Sequence, residues 1–582
     1  MPPTPRLPSW LPAAILGLAA LVAYSNTFTT PFVFDDQFAI IENPSIKHLG
    51  DIRAVLSPPP YASGAAGRPL VNLSLALNYA AGGLDVRGYH AVNLLLHTLC
   101  ALTLFGILRR TLERSGTRKR FGFGDRRIES NDAGLIALLA TLVWTVHPLL
   151  TESVTCVIQR DEVLSGLLYL LSLYLFIRYA EHPKIKWAAG SIATCLLGVT
   201  AKELVVSLPL IALLYDRTFI SGAFRRAWEQ RRGVYLGLAA SWILLAWLML
   251  GSQQRGGTVG FGLGVSSWEY LLTQCRAIVL YLQLSVWPHP LTIDYGTDVV
   301  RSAREVIPQG CFILALTGAA LVSLRRPSAS GFLGLFFFAI LAPSSSVVPL
   351  VSQPIAEHRM YLPLAAIVVL AVTAVWAVAG RRSLLVWPAL AVLLCVLTFR
   401  RNADYHSELT LIEGALQANP RNDRAYLNRG SFEAKAGQTS AAIADFRTAL
   451  ALQPAAADTE FDLAAVLDHS GDTPAAVPHY QRAVQLRPAY PLAQYSLGLA
   501  LARTGRMEEA AGPLQAALRL QPGAASVKAN LALVYRNLGI MRATAGRMAE
   551  AIPEFEAALR LDPQDEQSRQ NLKRAQALTA GK

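Results

Sequence analysis

Residues 133–152 read AGLIALLATLVWTVHPLLTE. Between Asp132 and Glu152 no Asp, Glu, Lys or Arg interrupts the run. About 20 apolar residues cross a bilayer as a helix, so this stretch predicts a membrane span. It ends in His147-Pro148, with Glu152 just beyond. The sequence thus sets polar groups at the mouth of an apolar helix, where ionisable side chains are costly and usually paired or functional. The same pattern recurs along residues 1–401. Further spans are predicted near 10–28, 88–108, 162–179, 187–201, 203–216, 234–251, 309–324, 331–351, 361–379 and 383–400, about 11 in all. The first run is long and lacks a clean small-residue cleavage site, so it reads as a retained helix and not a signal peptide. Residues 270–287 are also apolar but carry Gln274 and Arg276 and end in Trp287-Pro288-His289-Pro290. They read as an interfacial or re-entrant segment.

Composition supports this reading. Of 582 residues, 53% are hydrophobic and 16% charged, against about 25% charged in soluble chains. The mean hydropathy is +0.34. A soluble enzyme, a disordered chain and a disulfide-stapled secreted domain are excluded on these grounds. The six cysteines (Cys100, Cys156, Cys195, Cys275, Cys311, Cys395) lie in or beside apolar runs without CxxC spacing. They read as free thiols and not as a disulfide framework or zinc site.

Charge is unevenly placed. Residues 402–582 hold 19 basic and 19 acidic side chains, so the net +13 sits in residues 1–401. Basic clusters stand at 109–127, Arg225/Arg226, Arg231/Arg232, Arg325/Arg326 and Arg381/Arg382. Placing all of them in the cytoplasm gives one consistent threading, and no nucleic-acid partner is needed to explain the excess. The N-terminus is then cytoplasmic. Residues 29–87, 252–308 and everything after Arg401 face outward.

The region after 401 has its own period. Pro420, Pro454, Pro488 and Pro522 are 34 apart, as are Gly437, Gly471 and Gly505. Ala442, Ala476 and Ala510 follow the same interval. Period 34 with small residues at helix crossings is the tetratricopeptide pattern. Residues 402–582 therefore read as an α-solenoid of about four repeats that binds a protein or peptide segment. The last repeat is longer: Pro522 to Pro563 spans 41 residues, and Gly546, not Gly539, precedes its Ala551, Phe555 and Ala558. A seven-residue insertion, about two helical turns, accounts for it. Residues 405–420 read as a degenerate helix pair before the first repeat.

Polar groups predicted at the outward face carry the chemistry. Phe34-Asp35-Asp36 follows the first span closely. Adjacent carboxylates near hydrocarbon repel each other and lose solvation, which raises a pKa and suits a general base for a hydroxyl proton. A divalent-metal ligand pair, a solvated loop pair or a helix cap are the other readings. Around it stand His147, Glu152 and Gln159-Arg160-Asp161-Glu162, then Lys202-Glu203, then Glu357-His358-Arg359. Arg160, Lys202 and Arg359, with His358, suit a phosphate; structural ion pairs such as Lys202–Glu203 are the alternative. His90, Asn93 and His97 share one helix face. They read mainly as an intramembrane hydrogen-bond network, with a zinc site as the minor reading.

In the order of these motifs the chain resembles the GT-C superfamily of membrane glycosyltransferases, especially the transmembrane and tetratricopeptide-repeat O-mannosyltransferases and their bacterial relatives. The matching pieces are Phe34-Asp35-Asp36, Glu42-Asn43-Pro44, Arg68-Pro69-Leu70, Gly88-Tyr89-His90 with Asn93 and His97, His147-Pro148 with Glu152 and Arg160, Lys202-Glu203, Tyr215-Asp216 and Glu357 to Pro363. Ala201 stands where the family often has Ser, and His358 where some relatives have Arg. The resemblance implies an all-α polytopic domain with an outward active site. It implies a polyprenyl-phosphate-linked hexose, mannose or another, transferred with inversion to a hydroxyl of an outward-facing protein. It assigns Asp35 and Asp36 to catalysis and Arg160, Lys202, Arg359 and His358 to the donor phosphate. Glu162, Glu203, His90, His147 and Glu357 support them. No cofactor is fixed, and a divalent metal is left open. The compact loops and the Ala, Arg and Leu content point to a bacterial inner membrane with periplasmic repeats. A non-enzymatic scaffold, anchored by the helices and recruiting proteins through the repeats, is the alternative. A transporter fits less well, because residues 1–400 show no internal duplication and the charges gather near helix ends.

Overall fold

The computed structural model describes residues 8, 10–114, 130–251, 264–346, 348–351 and 353–580. Every regular element among the described residues is a helix, and none is a β-strand. Much of the basic cluster at 109–127 lies outside them. Two compact units divide the chain at Ala418/Asn419.

In the first unit, seven helices among the described residues are long and apolar enough to cross a bilayer. They are Val86–Glu113, Arg160–Glu181, Glu203–Ser221, Phe224–Met249, Ala303–Arg325, Pro363–Ser383 and Val386–Asp404. Asp132–Thr145 and Pro148–Thr155 form an eighth if joined, bent by 57°. Pro148 explains the break. It has no N–H for the helix ladder and disfavours helical backbone at the residue before it, and His147 is extended (ψ 129°). Leu11–Ala23, Ile185–Val199 and Ala329–Leu341 are apolar but shorter. Every predicted span therefore has its helix. Residues 267–286, read above as interfacial, also form a regular 20-residue helix, started by a Ser266/Glu269 capping box. Its Gln274 is buried and donates to the Pro354 carbonyl at 3.0 Å.

Charged groups sort to opposite ends of these helices. Val86–Glu113 carries His90 near one end and Arg110 near the other. Arg160–Glu181 runs from Arg160 to Glu181, and Glu181 pairs with Arg110 at 2.9 Å and Arg114 at 3.2 Å. At about 1.5 Å per residue each helix separates its two ends by about 30 Å or more. The basic end holds further pairs, Arg231–Asp216 at 2.8 Å and Arg381–Asp132 at 3.2 Å. The opposite end holds the candidate site.

The boundary of this unit lies beyond the predicted 401. Helix Glu408–Ala418 stays with it because Leu411 and Tyr405 pack with Val33, Cys156 and Ile158 in one buried cluster.

The second unit is a stack of helix pairs: Asp423–Lys435 with Thr439–Leu452, Ala457–His469 with Thr473–Leu486, Pro491–Arg503 with Met507–Leu520, and Ala525–Thr544 with Met548–Leu561, followed by Glu566–Ala580. Gly437, Gly471, Gly505 and Gly546 turn each pair with φ of 77°, 92°, 81° and 78°, a conformation cheap only for glycine. A second set of glycines permits close packing. A Cβ on Gly430 would lie 2.8 Å from Phe446, on Gly498 2.5 Å from Leu514, and on Gly539 2.6 Å from Phe555. Gly539 is thus the crossing glycine of the last repeat and Gly546 its turn. The insertion lies before Gly539, in a first helix of 20 residues where its counterparts have 13. Seven residues rotate a helix only about 20° from two full turns, so the small-residue face keeps its place.

Gly498→Val is expected to lower stability by about 1–3 kcal/mol through overpacking. Gly512→Ala, where a Cβ meets nothing within 4 Å, is expected to be neutral or to stabilise by up to about 1 kcal/mol. Thermal melts of the two full-length variants would show the contrast.

Candidate active site

The site begins at an irregular backbone. Phe34 has φ 48°, and it is the one non-glycine residue with positive φ among the described residues. For a bulky residue this costs about 1–3 kcal/mol and marks a constrained position. Its amide donates to Glu408 Oε1 at 3.1 Å, across 374 residues of sequence. The strained turn points the two carboxylates apart. Asp35 is exposed and Asp36 fully buried.

Asp36 is a tie between loops. Its Oδ2 accepts from Val33 N at 3.1 Å and its Oδ1 from Ile158 N at 2.7 Å. Burial, only partly offset by these amides, pushes its pKa up to about 7. The first loop is thereby fastened to the turn that leads into Arg160, Asp161 and Glu162. Beneath it, Asn43, Ser45 and Asn72 bond one another at 2.6–2.9 Å and are buried.

A charged cluster lies beyond that turn. Asp161 pairs with Arg68 and, at 2.7 Å, with Lys202 Nζ. Lys202 also meets Glu162 at 2.8 Å. His358 Nε2 stands 4.0 Å from Glu162, while its Nδ1 meets Glu152 at 2.7 Å and its amide donates to the same carboxylate at 3.0 Å. Glu203 lies 3.6 Å from Arg68. Lys202, Asp161, Glu162, Glu152 and His358 are all buried, and such charges persist only when paired. Charges from four sequence-predicted segments therefore meet: Glu152, Asp161 with Glu162, Lys202 with Glu203, and His358.

The predicted phosphate ligands adopt a different arrangement from the one expected. Lys202 and His358 meet through Glu162, but Arg160 and Arg359 each bind elsewhere. Arg160 is fully buried and donates to Asn93 Oδ1 (2.7 Å), Asn78 Oδ1 (2.5 Å) and the carbonyls of Ser74 (3.1 Å) and Tyr89 (3.0 Å). Arg359 donates to the Gln353 carbonyl and, at 2.8 Å, to that of Pro354. The physical reason is the same for all four. A buried side-chain donor takes the nearest protein acceptors.

The supporting residues are placed as follows. His90 Nε2 donates to the Thr30 carbonyl at 2.9 Å. His97 donates to the Thr145 carbonyl at 3.0 Å and so accepts from Tyr361 OH at 2.8 Å. Asn93 donates weakly to the Val154 and Val157 carbonyls. The three residues thus bind separate partners and not one another, and no group of three or more His, Cys, Asp or Glu suited to a metal occurs among the described residues. His147 accepts from Leu149 N and donates to the Ser285 carbonyl, which holds the broken helix against 267–286. Glu357 Oε1 accepts from Thr292 N and Tyr295 OH, each at 2.6 Å.

Burial pushes the Glu357 pKa up to about 7, against the pull of Arg401. A carboxyl so raised keeps its proton in the folded chain at pH values where the unfolded chain has lost it. Folding then takes up a proton, and stability falls as pH rises from about 4 to about 7. Glu357→Gln keeps the Oε1 acceptor and removes this titration. It is expected to flatten that decline, read from melting temperatures at pH 4.5, 5.5, 6.5 and 7.5.

Reasoning from sequence assigned no role to Arg68, although its Arg-Pro motif was visible, and gave none to Glu408, Thr292 or Tyr295. The last three act through contacts with no local sequence signal.

Known proteins resemble this chain along much of its length. Mouse protein O-mannosyl-transferase TMTC4 is 25% identical over 507 residues, covering 76% of this chain and 66% of the relative. Drosophila melanogaster protein O-mannosyl-transferase Tmtc1 is 26% identical over 566 residues, covering 78% and 63%. The chain resembles the protein O-mannosyl-transferases. Xenopus laevis tmtc2 is 32% identical over a shorter 212 residues, 34% of this chain and 23% of the relative. The chain spans about two thirds or less of the length of these curated relatives. The tetratricopeptide-repeat family matches residues 397–457, 461–525 and 527–566. Among solved structures, MamA is 23% identical with TM-score 0.23, covering 28% of this chain and 86% of that one. YrrB is also 23% identical, with TM-score 0.24, covering 32% and 89%.

Proposed function

We propose that the chain is a membrane glycosyltransferase. It moves a hexose, mannose in the first instance, from a polyprenyl-phosphate donor to a hydroxyl of a protein on the side where Asp35 lies. The observation that carries this reading is the exposed Asp35 carboxylate, set on a strained turn that a buried tie (Asp36–Ile158) fastens to the charged cluster. The likeness to protein O-mannosyl-transferases over three quarters of the chain supports it.

Asp35 takes the proton of the acceptor hydroxyl. The acceptor oxygen bonds to the anomeric carbon from the face opposite the phosphate, the carbon–phosphate oxygen bond breaks, and polyprenyl phosphate leaves with the electron pair. Configuration inverts. Asp36 positions Asp35 and does not touch the acceptor. Arg68, Asp161, Lys202, Glu162, His358 and Glu152 keep the floor of the site rigid, with charge compensated before substrate arrives. The repeats hold the acceptor protein. A cleft of about 400 Å³ lined by Lys435, Phe446, Asp462 and His469 opens within them, a size and polarity suited to an extended peptide. The basic ends of the spans face the cytoplasm and the site faces outward, the periplasm for a bacterial inner membrane.

Purified full-length protein in lipid nanodiscs, given polyprenyl-phosphate [³H]mannose and an envelope protein fraction, is expected to label protein in a base-sensitive, Asp35-dependent way. Label that stays on lipid with every hexosyl donor tried counts against the reading.

A further inference from the structure

Among the buried polar atoms without a protein partner are those of three side chains that act on one another, Arg401, Tyr405 and Glu357. Arg401 is the one guanidinium among the described residues with two such nitrogens, Nε and Nη2. Its Nη1 alone is used, donating to Asp404 at 2.9 Å. The Tyr405 hydroxyl and Glu357 Oε2 are also buried and unpartnered. The Arg401 guanidinium carbon lies 5.3 Å from the centre of the Tyr405 ring. Arg401, Tyr405 and Glu357 act on one another electrostatically, and Glu152 acts on the last two. Burying a donor without a partner costs about 1–3 kcal/mol, so three residues left so together call for an explanation.

Their position supplies one. Asn402, next to Arg401, accepts from Thr155 Oγ1 at 2.7 Å and donates to the Ala23 carbonyl at 3.0 Å. The last turn of helix Val386–Asp404 is thus fixed against the helix that carries Glu152. Tyr405 packs with Val33 and Cys156 under the Asp35 loop. Arg401 stands at the site end of an apolar helix, the level at which a lipid headgroup meets the protein.

The four side chains expected to take the donor phosphate all have protein partners. Arg401 does not on its Nε–Nη2 edge. That edge presents two parallel N–H groups, which match two oxygens of one phosphate. Tyr405 adds a third donor. Glu357 Oε2 is a carboxyl oxygen without a partner, suited to a sugar hydroxyl beside the phosphate, which can donate to it or accept from it.

The geometry points to Arg401 and Tyr405 as the ligands of a lipid-borne phosphate, with Glu357 receiving a hydroxyl of the sugar attached to it. This deepens the transferase reading and rests on it for the identity of the lipid. The phosphate-binding claim itself can be separated from it.

The experiment is a binding measurement on the full-length protein in phosphatidylcholine nanodiscs. The probes are polyprenyl phosphate, the matching polyprenol and inorganic phosphate. Wild type is expected to bind polyprenyl phosphate at least tenfold tighter than polyprenol, with inorganic phosphate competing only at far higher concentration. Arg401→Gln is expected to erase that tenfold preference, and Tyr405→Phe to reduce it severalfold. Tyr405→Phe removes only a hydroxyl without a partner, so it should fold even if Arg401→Gln does not. Equal binding of polyprenol and polyprenyl phosphate by wild type overturns the assignment. So does an unchanged preference in a well-folded Arg401→Gln, or in Tyr405→Phe. Competition by inorganic phosphate at the lipid's own concentration makes it a free-phosphate site and overturns the lipid assignment. Phosphate-dependent binding through Arg401 without any hexose transfer leaves the assignment standing and removes the transferase reading. Transfer with Arg401-independent binding does the reverse.

Discussion

Asp35→Asn is expected to lower hexose transfer by about 10²–10⁴-fold, the range in which a general base contributes. The variant should fold as wild type does. Asp35 is exposed, and exposed substitutions usually stay within about 0.5 kcal/mol. Its neighbour behaves in the opposite way. Asp36 accepts from two buried amides, and Asp36→Ala leaves both unsatisfied at about 1–3 kcal/mol each. The pair separates chemistry from structure: loss of activity with an unchanged melting temperature at 35, and a lowered melting temperature at 36. A metal-binding aspartate pair would lose activity at both positions and recover on raising the metal concentration. Glu408 stands behind this result, because it holds the Phe34 amide that sets the direction of Asp35.

Lys202→Met is expected to cost about 3–5 kcal/mol of stability, the range for breaking a buried ion pair by removing one partner. Lys202 Nζ lies 2.7 Å from Asp161 and 2.8 Å from Glu162, and all three side chains are buried. Without the ammonium, Asp161 keeps Arg68, but Glu162 keeps only His358 at 4.0 Å. Glu162 should therefore account for most of the loss. Adding Glu162→Gln to Lys202→Met is expected to recover part of it, a coupling measurable by a double-mutant cycle on chemical denaturation. Additivity of the two changes would show that the pair is not coupled. A separate reading of Lys202 as a free phosphate ligand predicts something else, a raised donor KM with little change in stability.

Much of the fold was legible because it follows from short-range periodicity. Apolar runs between Asp132 and Glu152, or from Val86 to Glu113, have no other stable use than as buried or membrane helices. The 34-residue interval of Gly437, Gly471 and Gly505 marks turns whose positive φ is confirmed at each glycine. The role of Gly539 was not legible from that interval. It lies 34 residues from a turn glycine but serves as a crossing glycine, which only the contact with Phe555 reveals. The site was half legible. Clustered charges near helix ends identified 152, 160–162, 202–203 and 357–359, because burying such groups is too costly to be incidental. Which partner each charge takes depends on distances across hundreds of residues, such as Arg68 to Asp161 or Phe34 to Glu408. Nor does sequence distinguish a cation that is already paired, such as Arg160, from one that keeps a free edge, such as Arg401.

The central claim is that Asp35 serves hexose transfer to protein hydroxyls. Its most direct measurement is glycoproteomics of the membrane fraction from cells lacking this protein, complemented with wild type or with Asp35→Asn at equal membrane levels. The account predicts that wild type restores a hexose on specific Ser or Thr residues of proteins facing the site and that Asp35→Asn restores none. Full restoration by Asp35→Asn, or an unchanged glycoproteome in the deletion, would contradict it.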